Sequence, residues 1–520
     1  MKPRSLLQSS LEGIGAALLL LLPFIWPFLL RSNLVSYYHR LPIANLVGGL
    51  LIDWIGFSIL AAAALVAVQR LPPIPRRICN TAFAGLVLWR ALDVLNESAF
   101  PVAHWSRVRE PGYIAIALLG GALGYALPRT SRSIERTVRL LLAAFAFSAL
   151  WIAPHLLHLA LLRPAAESIA FNRPTALLQS PSHRRILWIL LDELSYDQIA
   201  DHPSPGLKFP NLDQLRAQSV SFSDLRPIGF FTETVIPSLL AGRRIDKLRG
   251  TLDGELWYRD DSQDRWLAYD PNATLFAVAR QSGLTTGVAG WFIPYCRLLA
   301  PVLDRCSWVP TAGSTEVLGA STEKSVWANA VVLPKALLGT LTRGTGFIKA
   351  AEADRNVKDY RDTMQSAQAL IADNRIQFAY LHFPVPHPPG IYDRKNHVLR
   401  PGGTYLDNLT LADDTFGTLM QKIQATPSAD QTTIIVSSDH SWRIPLWRRS
   451  RSWSEEEERA SRGRFDDRPV LLVHFPHQES GSNVGAALPE LLEHDMIAGM
   501  VRGQINDPKD LAAFLAQRRR

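Results

Sequence analysis

Cysteine is scarce in this chain: Cys79, Cys296 and Cys306 are the only three in 520 residues, too few for a disulfide scaffold or a thiolate metal cluster to organise the fold. No glycine-rich nucleotide loop, serine-histidine-aspartate order or nucleic-acid motif stands out, so nucleotide and nucleic-acid binding have no sequence support. Internal repeats and low-complexity tracts are also missing, which sets aside solenoid and repeat-array architectures. The acidic run SEEEERASR at 454–462 reads as a solvated loop or helix.

What is abundant is apolar sequence, concentrated in the first third. Long runs occupy 11–30, 44–68, 78–95, 111–127 and 137–162. Each approaches or exceeds the roughly 20 residues that cross a bilayer. The third and fourth are short and, as buried or tilted helices, would leave three spans; five is the expected number. The first run has no small-residue cleavage site and more spans follow, so it reads as an anchor rather than a signal peptide. Arginines in the short loops give orientation. Arg70, Arg76, Arg77, Arg129, Arg132, Arg136 and Arg139 fall with Lys2 and Arg4 on one side, against Arg31, Arg40, Arg107 and Arg109 on the other. The N-terminus is therefore expected in the cytoplasm, and five spans would deliver the rest of the chain to the opposite face. Cys296 and Cys306, close in sequence, suit a disulfide in that oxidising space, with two unrelated buried thiols as the alternative. The net charge of +8 suits anionic lipid surfaces, although loop arginines account for much of it. Asp53, Arg90 and Asp93 lie inside expected spans, where charge is costly; Arg90 and Asp93, three apart on one helix, are placed to neutralise each other.

The proline-broken stretch 163–183 reads as a linker between a transmembrane domain, 1–162, and an external domain, 184–520. Beyond it, apolar runs of strand length (ILWILL, IQFAYLHF, TTIIVSS, PVLLVHF) alternate with helical patterns, which implies an α/β domain with a mostly parallel central sheet. Sites in such sheets form beyond the carboxyl ends of strands. Asp192 and Glu193 end the first strand, Asp439 and His440 end TTIIVSS, and His387 follows FAYLHF in the loop PVPHPPG. Carboxylate oxygens with a histidine nitrogen suit zinc or manganese, and Glu193 stands next to Asp192 as a further acid. Thr232 precedes a helical run in FFTETVIPSLLAGR, so its hydroxyl would sit where amide groups and the helix dipole favour an anion. Beside a dication that hydroxyl becomes a nucleophile for phosphorus; without the flanking clusters it would read as an N-cap threonine. SWRIPLWRRSRSW at 441–453 mixes arginine and tryptophan, which suits a phospholipid headgroup or a solvated basic loop, and His494 reads as a packing or capping residue.

Taken together, ILLDELSYD, FPNLDQLRAQSVSF, TETVIPSLLAGR and SSDH resemble the sulfatase-like branch of the alkaline phosphatase superfamily over most of 184–475. Several spans before an external domain, with threonine in place of the modified cysteine, resemble the phosphoethanolamine transferases of lipid A and the lipoteichoic acid synthases. The resemblance implies Thr232 as nucleophile, since it lies five residues before Pro237 as in the transferases. It also implies Asp192, Asp439 and His440 as metal ligands with Thr232, and His387 as the histidine on the substrate phosphate. Departures are visible: the transferases usually carry glutamate where Asp192 stands, and their further histidine after the Asp-His pair and their cysteine pair around the nucleophile have no counterpart. True sulfatases need cysteine or serine in a CxPxR-type motif, which FFTETVIPS does not provide.

The activity this implies is transfer of a phosphoethanolamine or phosphoglycerol headgroup. The donor would be a membrane phospholipid and the acceptor an envelope glycolipid or glycan, with one divalent ion, zinc or manganese, and a phospho-threonine intermediate. The setting implied is the bacterial inner membrane, with the catalytic domain periplasmic or extracellular. Water in place of the acceptor would make a phosphodiesterase, phosphatase or sulfuric ester hydrolase. A non-catalytic assembly factor is the alternative from another class, and a transporter, resting only on the spans and their charges, is disfavoured.

Overall fold

A computed structural model describes residues 6–30, 39, 42–98, 105–161, 184–250, 255–260, 265–311, 314–343, 347–450 and 452–518. The expected linker at 163–183 lies outside them. The chain divides into a helical unit and an α/β unit.

The helical unit is built on α1 (Leu6–Leu30), α2 (Ala44–Gln69), α3 (Pro73–Ser98), α4 (Trp105–Ala126) and α5 (Pro128–Leu161). Each of the five apolar runs is thus a helix, but among the described residues only α1, α2, α3 and α5 are long and apolar enough to cross a membrane. In α4 the apolar part is confined to Gly112–Ala126, because charged residues occupy its first turns. Small residues let the helices close up. A Cβ at Gly15 would run into the Leu142 carbonyl oxygen of α5. The expected pairing inside α3 is present: Arg90 Nη1 reaches Asp93 Oδ2 at 2.7 Å, and the Tyr113 hydroxyl of α4 donates to the same oxygen at 3.0 Å. The unit also takes in Ala312–Lys349, which the sequence places far downstream, within the external region.

The α/β unit carries an eight-stranded sheet: β1 (Arg185–Leu191), β2 (Val220–Phe222), β3 (Thr286–Trp291), β4 (Arg305–Val309), β5 (Phe378–Phe383), β6 (Thr432–Ser437), β7 (Leu471–His474) and β8 (Ser482–Val484). Their order across the sheet is β8-β2-β7-β6-β1-β5-β3-β4. The run from β6 to β4 is parallel and β7 is antiparallel to both its neighbours. β1 is central and every residue in it is buried, which explains its unbroken apolar sequence. Its helices include α6 (Pro210–Ala217), α7 (Thr232–Ala241), α8 (Tyr405–Gln424) and α9 (Leu492–Val501). Register sets Leu190 of β1 opposite Ser437 of β6 and His382 of β5, so all three strands end level. Cys296 and Cys306 form a disulfide that ties β4 to the turn after β3, and Cys79 is free.

Behind β1, Glu493 of α9 is fully buried beside Trp188 and Ser437, whose side chains hydrogen-bond at 2.8 Å. Burial raises its carboxyl to about 8 from an ordinary value of 4.5. The folded state then keeps a proton that the unfolded chain releases, so stability falls as pH rises from 4.5 to about 8 and levels off above. Glu493→Gln should flatten this dependence and, at pH 8, stabilise the protein by on the order of 2 kcal/mol. Thermal unfolding of both proteins between pH 5 and 8 checks it, and parallel curves would contradict the assignment.

Candidate active site and metal centre

The level strand ends bring together residues 247 positions apart in the chain, Asp192 and Asp439. Both are fully buried, and with His440 they form a group whose ligand atoms all lie within 4.8 Å of one another. His440 Nε2 sits 3.1 Å from Asp439 Oδ2 and 3.9 Å from Asp192 Oδ1. The ring is fixed from its other side, where Nδ1 donates to the Ser441 carbonyl at 3.1 Å, leaving Nε2 aimed at the carboxylates.

Thr232 opens α7, after Phe231 in extended conformation, and its Oγ1 lies 3.2 Å from the same His440 Nε2. It is only 4 % exposed. Thr234, two residues on, donates its hydroxyl to the Phe231 carbonyl at 3.0 Å and takes no part. α7 therefore points its amide end and one hydroxyl at the acidic group, an arrangement that favours an anion there.

The donor set fits a divalent cation. Neither oxygen of Asp192 nor Oδ2 of Asp439 has a hydrogen-bond partner, although all three are buried. Leaving such atoms unpaired is costly unless a positive charge meets them. Electrostatics say the same: burial pushes the Asp439 carboxyl up, yet His440, His382 and Thr232 hold it below the usual carboxylate range. Burial opposes charge on His440 as well, but the Asp439 carboxylate beside it raises the imidazole to about 9. A proton on His440 is the counter-charge that the carboxylates draw in when no metal does so.

Glu193 does not join the group. Its backbone, at φ 67°, turns the side chain away to Arg443, with which it forms an ion pair, while the Trp447 indole donates to both carboxylate oxygens at 3.0 and 2.9 Å. Only its amide serves the site, donating to Asp439 Oδ1 at 3.2 Å. Arg443 and Trp442 are consequently buried, and Trp442 stacks on Tyr405 at 4.2 Å, so this part of 441–453 is neither a solvated loop nor free for a headgroup. His387 is half-buried on the loop after β5, packed edge-on against Trp447 at 5.3 Å and Trp291 at 5.6 Å. His494 acts as expected, bonding the Leu239 carbonyl near the end of α7 at 2.8 Å.

Sequence reasoning missed His382. It is fully buried on β5, its Nδ1 2.8 Å from the Tyr295 hydroxyl and its Nε2 3.6 Å from Asp192 Oδ2. A histidine in the otherwise apolar run FAYLHF, one residue from a strand end, was the available signal. A second acid-histidine group, Asp197, Asp201 and His202, is already matched, since Arg462 binds both oxygens of Asp197 at 2.7 and 3.0 Å. Beside His440 opens a cleft of about 400 Å³ lined by Phe230, Phe231, Phe465, Arg244 and Asp246.

The sulfatase family model matches residues 184–483, more than half of the chain. A search of curated proteins gives no match. Similar solved structures include the lipoteichoic acid synthase LtaP from Listeria monocytogenes, at 11 % identity over 65 % of this chain and 76 % of that one, with a TM-score of 0.38. The PsFucS1 sulfatase from Pseudoalteromonas sp. is 14 % identical over 62 % and 68 %, with a TM-score of 0.39. The phosphonate monoester hydrolase of Agrobacterium radiobacter is 15 % identical over 61 % and 73 %, with a TM-score of 0.38. At such scores these likenesses bear no functional weight.

If the proton on His440 stands in for a cation, metal and proton compete. Apparent affinity for zinc or manganese should tighten up to about tenfold per pH unit as pH rises towards 9, then level off. His440→Ala and Asp439→Ala should each weaken binding by more than the roughly 10–100-fold of outer-shell changes. Titration of the metal-stripped protein with pH as the variable checks both; a pH-independent affinity would contradict the ligand assignment.

Proposed function

Since the chain belongs to the sulfatase family, we propose that it is a membrane-anchored phosphotransferase that moves a phospholipid headgroup to an envelope glycolipid or glycan through Thr232. The observation that carries this reading is the Thr232 hydroxyl at the start of α7, 3.2 Å from His440, beside two buried carboxylates of which three oxygens lack a hydrogen-bond partner. Threonine cannot be converted to formylglycine, so the reading favours phosphoryl transfer over sulfate-ester hydrolysis.

Asp192, Asp439, His440 and Thr232 would hold the divalent ion. When bound, it lowers the pKa of the threonine hydroxyl and offsets charge on the transferred phosphoryl group. In the first step Thr232 Oγ1 bonds to phosphorus as the bond to the diacylglycerol oxygen breaks, and that oxygen leaves with a proton. In the second an acceptor hydroxyl bonds to phosphorus, the bond to Oγ1 breaks, and threonine recovers a proton. The α7 amide end orients the phosphate, and His387 steadies it or protonates the leaving oxygen. His382, held by Tyr295, backs Asp192 and fixes its direction. We place the α/β unit outside the bacterial inner membrane, a reading supported by the Cys296–Cys306 disulfide and by the loop arginines; it requires the shorter α4 to cross together with the four longer helices, so that an odd number of spans precedes the unit.

Incubation of the detergent-purified protein with mixed phospholipids and zinc or manganese, followed by intact-mass measurement, tests the reading. Wild type should gain a mass equal to a phosphoethanolamine or phosphoglycerol group, and Thr232→Ala should gain none. Thr232→Ala should also lose transfer by at least about 1,000-fold. A protein that gains no mass and binds no metal would overturn the proposal; phosphate release without an adduct would make it a hydrolase.

A further inference from the structure

Within the family-matched stretch, the chain leaves the α/β unit after Thr311, joins the helical unit as Ala312–Lys349, and returns for the last strands of the sheet. The described part of this insert contains the helices Val326–Ala330 and Val332–Arg343. It is docked on α2. Asn45 Nδ2 donates to the Thr322 carbonyl at 3.4 Å, and Glu316 pairs with His39. The approach is closest at Gly49, where a Cβ would lie 2.7 Å from Asn329 Cβ, so no larger residue fits there without displacing the insert. Asn329 is itself buried, and its amide holds the preceding turn, donating to Ser321 O at 2.9 Å and accepting from Ser321 N at 3.0 Å. Ala330, Leu333 and Ala336 complete the buried stripe.

The opposite stripe, at spacings of four and three, is Trp327, Val331 and Pro334, all exposed. Trp327 is 73 % exposed and Val331 44 %. Water is a poor neighbour for such a face. The helix on which it is docked is itself long and apolar enough to cross a membrane, and its Ile55, Ile59 and Leu60 are 60–66 % exposed. The stretch Val326–Leu338 is itself apolar but too short to span. Polar residues gather before it, with Glu323, Lys324 and Ser325 exposed, and Trp327 follows after Val326. A tryptophan at the join between polar and apolar sequence sits well at the headgroup level, and Lys335 can reach outward from beside the stripe. The insert meets α2 at its first turns, the end that the arginine bias assigns to the outside.

We propose that this insert is a second membrane anchor, lying in the outer interface of the bilayer with Trp327, Val331 and Pro334 against lipid. It does not cross the membrane, and it fastens the chain to the lipid phase between two strands of the sheet. The inference rests on the helical unit being in a membrane and does not depend on which group is transferred.

The test uses the full chain with Cys79→Ser, reconstituted in phosphatidylethanolamine and phosphatidylglycerol nanodiscs, with an environment-sensitive fluorophore on one added cysteine. Trp327→Cys and the reference Ile59→Cys should both be quenched by spin-labelled acyl chains and be shielded from aqueous iodide. Val398→Cys, at a position 45 % exposed in the α/β unit, should show the opposite pattern. Trp327→Phe, which spares the helix a label, should lower the share of intrinsic fluorescence quenched by brominated lipid. Iodide quenching at 327 equal to that at 398, with no change in the lipid-quenched share for Trp327→Phe, would overturn the proposal. Because the readout is lipid contact, failure of phosphoryl transfer leaves it unaffected.

Discussion

The α/β unit is organised around two buried carboxylates set side by side, with one backbone amide as the only hydrogen-bond donor to their four oxygens among the described residues. Asp192 and Asp439 are fully buried at the ends of adjacent parallel strands, and three of their four oxygens lack a hydrogen bond. Such a pair is tolerated only when its surroundings are rigid and a cation completes it. The continuous apolar sequence of β1 supplies the rigidity, since it locks the strand between β6 and β5 with both faces covered. Thr232 and His440 then need only small adjustments to converge on one point, and they share the His440 Nε2 atom as their meeting place.

This part of the site was legible because it sits at strand ends. An acid after ILWILL and an Asp-His pair after TTIIVSS lie at positions that a parallel sheet must bring to one edge, so sequence spacing did not matter. The choice between Asp192 and Glu193 was not legible. Consecutive residues point to opposite sides of the backbone, and which one faces the site depends on Arg443 and Trp447, more than 240 positions downstream. The same pairing explains why the tryptophan-arginine run looked like a headgroup site: its partners come only from tertiary structure. His382 was hidden for the converse reason, a polar side chain in a strand that otherwise reads as core.

The helices were legible in number but less so in kind. All five apolar runs fold as helices, and composition over the whole of α4 shows why its apolar part stays short. The insert was invisible as a member of the helical unit, because Val326–Leu338 is a short apolar stretch that could equally cover a sheet. What assigns it is close packing on Gly49, a contact that one sequence cannot reveal.

The remaining acids near the strands show how charge is confined to the two that matter. Glu193 is neutralised by Arg443. Glu490 and Glu493 lie fully buried behind the sheet, and burial raises both carboxyls, Glu490 well above the ordinary range and Glu493 to about 8. With its carboxyl at about 8, Glu493 adds little negative charge beneath β1 at neutral pH, and Glu490 uses one oxygen to accept from the Ile228 amide at 2.7 Å, on the segment leading into α7. The field at the strand ends is therefore set by Asp192 and Asp439 against His440. Any cation drawn in is held where the threonine hydroxyl already points, rather than being shared with a diffuse acidic core. Were Glu493 ionised, its charge would act through the low-dielectric sheet with little screening, and the strand ends would no longer be the one charged edge over a neutral interior.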